Sequence, residues 1–163
     1  MTEPLSLPGA TESRRPSRIL IVDDNPDDAP FLREAIRSLG WNAEIEALPY
    51  GMAAIEEIRR RYDRGVPPDI ILVDYRLAWD TGIQFLYRLR GTGLDPMPPV
   101  IIYTAIELSE ALRLECYNLG VMKIFDKPES AEAAIKSMKL IRNLLVERGD
   151  ISRGGSWISG DLR

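Results

Sequence analysis

The chain has 163 residues, a formal net charge of −4, no histidine and a single cysteine. This length suits one domain with a full core, and the mild acidity gives no electrostatic footprint for nucleic acid. The lack of histidine excludes histidine-based triads, histidine metal sites and a phosphohistidine on this chain. Cys116 alone cannot close an internal disulfide, which fits a reducing, cytoplasmic compartment, and no apolar run approaches membrane-spanning length.

Residues 1–17 are rich in Pro, Ser, Thr, Glu and Arg without periodicity, so they are expected to form a flexible arm. Residues 18–22 (RILIV) form an unbroken apolar run, as in a strand buried on both faces. The run stops on Asp23-Asp24-Asn25-Pro26-Asp27-Asp28. Asn25 reads as a helix N-cap, Pro26 as the first helical residue, and Asp27 and Asp28 as partners of the helix dipole. Capping does not explain Asp23 and Asp24, which lie on the strand side. Adjacent carboxylates repel unless a cation sits between them, so this pair is a metal-site candidate.

Phe31, Leu32, Ala35, Ile36 and Leu39 keep helical spacing up to Gly40. Ala43–Leu48 is a weak second strand, suited to an edge. A helix follows with Ala53, Ala54, Ile55 and Ile58 on its apolar face; Arg59, Arg60 and Arg61 read as its solvated side. Residues 70–73 (IILV) are a third buried strand ending on Asp74. A loop from Tyr75 to Asp80 leads to a helix that Thr81 can cap, with Ile83, Phe85, Leu86 and Leu89 apolar. Residues 91–99 form a loop rich in Gly and Pro. Residues 100–105 are a fourth strand ending on Thr104-Ala105, and a helix follows through Leu108, Ala111, Leu112, Leu114 and Cys116. Residues 121–125 are a fifth strand, with Asp126-Lys127-Pro128 after it. The last helix, from about residue 130 to 146, carries a stripe of Ala134, Ile135, Met138, Ile141, Leu144 and Leu145.

Five strand–helix repeats predict an α/β fold, a doubly wound five-stranded parallel sheet with five helices. All strand C-termini then share one edge, where such sheets bind ligands. Folding therefore brings Asp23, Asp24, Asp74, Thr104 and Lys127 together. Carboxylates without histidine or thiolate favour Mg²⁺, Thr104 can donate one hydrogen bond, and Lys127 supplies a point charge. Neither GxxxxGK[ST] nor GxGxxG occurs, so phosphate must arrive on another molecule. Asp74 is the natural acceptor, as an acyl phosphate.

These residues carry a resemblance. Asp23-Asp24, Val73-Asp74, Gly82, Thr104-Ala105 and Lys127-Pro128, in this order, resemble the receiver domain of two-component response regulators. The match covers residues 18–148, leaving 149–163 as a flexible tail. The resemblance implies a flavodoxin-like fold with strand order 2-1-3-4-5. It also implies Mg²⁺ bound by Asp24, Asp74 and the backbone carbonyl of Arg76, with Asp23 acting through water. Asp74 would take phosphate from the phosphohistidine of a sensor histidine kinase, with Lys127 and Thr104 on the phosphoryl group. The chain would catalyse only its own phosphorylation and dephosphorylation.

Two positions depart from the family. Ala78 stands where Pro is usual, which implies a freer loop after the acceptor. Ile124, three before the lysine, stands where the aromatic switch residue belongs; Phe125 should face the other side of the strand. The start 25–28 and the connection 59–68 resemble small stand-alone regulators paired with phytochrome-type kinases, which are often dimers through the fourth and fifth helices. Residues 147–163 show no period, so no DNA-binding module is expected there. Two alternatives to a signalling regulator are a phosphate sink or relay, and a Mg²⁺-dependent phosphohydrolase. The latter would want a second Asp two residues after the nucleophile, where this chain has Arg76. A degenerate receiver that only binds would not need the acids, Thr104 and Lys127 kept intact.

Overall fold

The computed structural model describes residues 15–149 and Ile151. The flexible arm expected over residues 1–17 lies outside them up to residue 14, as does most of the flexible tail expected over residues 149–163. The elements in order are β1 (Ser17–Val22), α1 (Asp28–Ser38), β2 (Ala43–Leu48), α2 (Gly51–Asp63), β3 (Ile70–Val73), β4 (Arg76–Leu77), β5 (Asp80–Thr81), α3 (Gly82–Gly91), β6 (Val100–Thr104), α4 (Glu110–Asn118), β7 (Val121–Asp126) and α5 (Ala131–Arg148). The main sheet has the order β2-β1-β3-β6-β7, all parallel. With the two-residue β4 and β5 set aside, this is the expected order 2-1-3-4-5 of a flavodoxin-like sheet.

The apolar runs are buried because helices cover both sheet faces. On one face Leu20, Val22, Ile71, Val73 and Ile102 pack with Ile55, Phe85, Leu89 and Cys116 of α2, α3 and α4. On the other, Ile19, Ile21, Ile70, Leu72, Ile101 and Tyr103 pack with α1 and α5. Each such aliphatic side chain contributes about 1.5–3 kcal/mol. Ile124 belongs to the first face, whereas Phe125 packs against the second, as strand alternation requires. Among the described residues no helix is long and apolar enough to cross a membrane.

Several local expectations are corrected. The sheet starts at Ser17, whose hydroxyl accepts a hydrogen bond from the Trp41 indole at 2.9 Å, so the ordered chain reaches into the expected arm. Asn25 does not cap α1, and Pro26 is not helical. Asp27 is the N-cap, without a side-chain cap bond, and the Asn25 amide oxygen instead accepts from the Asp27 N–H at 3.0 Å, closing a turn. This start puts Pro30 in the first helical turn, where its missing N–H costs nothing.

The segment after Asp74 is not an open loop. Arg76 pairs with Thr81 and Leu77 with Asp80, while Leu77 is buried and Trp79 sits at the tip with φ +68°. Thr81 caps α3 as expected, in a reciprocal box with Gln84. Arg61 is not solvated: it packs against β2 and pairs with Glu46 and with Glu57 at 3.1 Å. Leu114 is exposed rather than part of the apolar stripe of α4.

Candidate functional site

The sheet's hydrogen bonding runs one step past its strands and fixes the site residues. The Asp23 N–H donates to the Leu48 carbonyl at 3.1 Å, Asp74 to Val22 at 2.9 Å and Lys127 to Thr104 at 2.8 Å. The four polar residues are therefore carried on rigid backbone at the C-terminal edge. Gly82, at the start of α3, packs directly behind Asp74: a Cβ there would lie 3.1 Å from the Tyr75 Cα and 3.4 Å from the Asp74 carbonyl oxygen. Backbone cannot yield as a side chain end can. Gly82→Ala should cost about 1–3 kcal/mol, read as a lowered melting temperature. Gly91→Ala at the other end of the same helix meets nothing within 4 Å and should be neutral or mildly stabilising.

Lys127 is the hub. Its ammonium donates to Asp23 Oδ2 and to Asp74 Oδ2, both at 2.8 Å, and to Asp28 Oδ2. Asp74 Oδ1 accepts from the Arg76 N–H at 3.1 Å, and Asp23 Oδ1 from the Asn25 N–H at 2.9 Å. Asp28 was assigned to the helix dipole from the sequence. It does stand in the first turn of α1, and the structure also turns its carboxylate into the site, where it holds the third hydrogen of the ammonium. Thr104 is buried on the same edge, but its hydroxyl accepts from the Ile106 N–H at 3.4 Å and takes no part in the Lys127 bonds.

Carboxylates outnumber the ammonium here. Asp23, Asp24 and Asp74 each offer an oxygen, all within 4.8 Å of one another; Asp24 is exposed and the other two are buried. A set of hard oxygen donors with surplus negative charge fits Mg²⁺ or a similar ion. The charges themselves point the same way. Burial pushes the Asp23 carboxyl up from 3.8 to about 6, against the opposing hydrogen bond from Lys127. For Lys127, burial alone would lower the pKa; hydrogen bonds to Asp23, Asp28 and Asp74 outweigh it, and the pKa rises.

A pH dependence follows. Folded Asp23 holds a proton over roughly pH 4–6 that the unfolded chain has released, so its contribution to stability falls as pH rises through that window. The same proton competes with a cation. Mg²⁺ affinity should therefore drop below about pH 6, by up to about tenfold per pH unit, in a titration followed by tryptophan fluorescence. Trp79, exposed on the hairpin after Asp74, is the natural reporter.

Comparison with known proteins gives the family. Residues 19–139 match the family described as response regulator receiver domain. The chain is 31% identical over 149 residues to the "Probable transcriptional regulatory protein TcrX" of Mycobacterium tuberculosis, covering 91% of this chain and 58% of that protein. It is 28% identical over 132 residues to a protein-glutamate methylesterase/protein-glutamine glutaminase of Trichodesmium erythraeum, 80% of this chain and 36% of that one. The chain thus spans less than two thirds of the length of these curated relatives. Among solved structures, the phosphorylated cyanobacterial phytochrome response regulator RcpA superposes with a TM-score of 0.70 at 22% identity, covering 85% of this chain and 99% of that one. The Mn²⁺-bound form of response regulator Rcp1 gives 0.67 at 23% identity, with 81% and 96% covered. With its sheet order, its acidic edge and the family match over most of its length, the chain belongs to the response regulator receiver domain family.

Proposed function

We propose that this chain is a response regulator receiver domain that accepts a phosphoryl group on Asp74 from the phosphohistidine of a sensor histidine kinase. The observation that carries this reading is the Lys127 ammonium, held 2.8 Å from Asp74 and from Asp23 beside the exposed Asp24. A buried carboxylate bonded to a fixed cation, next to a place for a second cation, is poised to become an acyl phosphate.

In the transfer, one carboxylate oxygen of Asp74 forms a bond to phosphorus. The P–N bond to the donor imidazole breaks, and its electron pair leaves with the imidazole. The Arg76 N–H, on Asp74 Oδ1, orients the carboxylate. Lys127 follows the charge from the carboxylate to the phosphoryl oxygens, and the Thr104 hydroxyl adds a donor from the adjacent strand. Asp24, Asp74 and the Arg76 carbonyl would hold Mg²⁺ directly, with Asp23 acting through water. That ion supplies positive charge against the incoming phosphoryl oxygens. On this reading the chain catalyses only its own phosphorylation and dephosphorylation.

The likeness to RcpA, a phytochrome response regulator, supports a bacteriophytochrome-type kinase as donor. Exposed Leu114 and Tyr117 on α4 and Leu140 on α5 offer apolar contacts for a homodimer or a downstream protein. The reducing cytoplasm suits the free Cys116. The test is incubation with sensor kinases labelled on histidine. Label should move to this chain within seconds to minutes from a cognate kinase; failure with every kinase, together with failure of acetyl phosphate, contradicts the proposal.

A further inference from the structure

We propose that the Tyr103 hydroxyl is a positioning group for the phosphorylated site, taking over the Asp28 carboxylate when Lys127 turns to the phosphoryl group. This rests on the proposed phosphoryl chemistry of Asp74. Tyr103 lies on β6 immediately before Thr104, opposite Phe125 of β7, on the sheet face covered by α1 and α5. It shares that core cluster with Ala29, the neighbour of Asp28 at the start of α1. The side chain is buried, and its hydroxyl has no hydrogen-bond partner among the described residues. A buried tyrosine that gives up water for no partner in one state is expected to find one in another. Burial and then the charge of nearby Asp28 raise its pKa, so the hydroxyl keeps its proton and remains a donor.

The exchange follows from counting donors. An ammonium has three hydrogens, and Lys127 spends them on Asp23, Asp28 and Asp74. Acylation of Asp74 frees the hydrogen spent there for one phosphoryl oxygen, and a second can be served only by releasing another carboxylate. Of the two that remain, Asp28 is the more easily released, because its side chain is 22% exposed against 4% for Asp23. Left alone, Asp28 would face the phosphoryl group as an unpaired like charge. The Tyr103 O–H donates to it and removes that penalty. The exchange also sends the signal to the α1–α5 face through a hydroxyl-bearing ring, which Ile124 on the opposite face cannot supply.

The test uses Tyr103→Phe, which keeps the ring and removes only the hydroxyl, and beryllofluoride with Mg²⁺ as the phosphoryl mimic. Without beryllofluoride the variant should melt at or slightly above the wild-type temperature, since an unpartnered hydroxyl is lost. Its beryllofluoride affinity should fall about tenfold, the worth of one hydrogen bond to a charged acceptor. Wild type should show a tyrosine ultraviolet difference band on binding, and the variant should lack it. In an Asp28→Ala background, Tyr103→Phe should change affinity no further. Equal affinity of variant and wild type overturns the proposal, as does an undiminished effect in the Asp28→Ala background. If wild type itself fails to bind beryllofluoride, the phosphoacceptor reading falls instead.

Discussion

Asp74→Asn is expected to take no phosphoryl group from acetyl phosphate or from a labelled kinase, a loss of at least about 10³-fold. The amide keeps the shape of the carboxylate. Its oxygen can still accept from the Arg76 N–H, and the strand before it is unaffected, so the fold should persist. What disappears is the nucleophile and one negative charge. Because carboxylates outnumber cations at this edge, losing that charge should leave the melting temperature unchanged or raise it slightly. Circular dichroism melts alongside the labelling assay separate the two effects. Undiminished labelling of the variant would move the acceptor elsewhere.

Lys127→Ala should have the largest effect on the resting protein. It strips the shared cation from Asp23, Asp28 and Asp74. Breaking a buried pair by removing one partner costs about 3–5 kcal/mol. Here Asp23 can relieve part of that by binding a proton, as its raised pKa shows, so about 2–4 kcal/mol is expected near neutral pH. That corresponds to a fall of very roughly 5–15 °C in melting temperature. The deficit should shrink towards pH 5, where Asp23 protonates, and shrink again in millimolar Mg²⁺. Phosphoryl uptake should drop about 10²–10³-fold, because a preorganised charge on the transferring group is gone. Melts across pH with and without Mg²⁺ check the first part; a deficit that grows on acidification would contradict it.

The sheet and most of its site were legible in the residues. Apolar runs that end abruptly on Asp23, Asp74 and Thr104, and one followed by Asp126-Lys127, state both the strand and the edge on which it stops. Asp28 was not legible, because an acid in the first turn of a helix has an ordinary electrostatic reason to be there. Only the arrival of Lys127 from the far end of the chain gives it a second role. A clue to the true helix start was present. Had α1 begun at Pro26, Pro30 would sit past the first turn, where the helix needs its N–H; beginning at Asp28 removes the conflict. The hairpin at residues 76–81 has strands of two residues, too short to show alternation. Arg61 looked solvated along its own helix, and only the neighbouring β2 brings Glu46 to it.

The most direct measurement is the intact mass of the wild-type chain after incubation with acetyl phosphate and Mg²⁺. One phosphoryl group should be added. It should be absent when Mg²⁺ is chelated, removed by hydroxylamine as an acyl phosphate must be, and located on Asp74 by reductive trapping and peptide mapping. No adduct in the presence of Mg²⁺, an adduct indifferent to chelation, or one on any other residue would contradict the account.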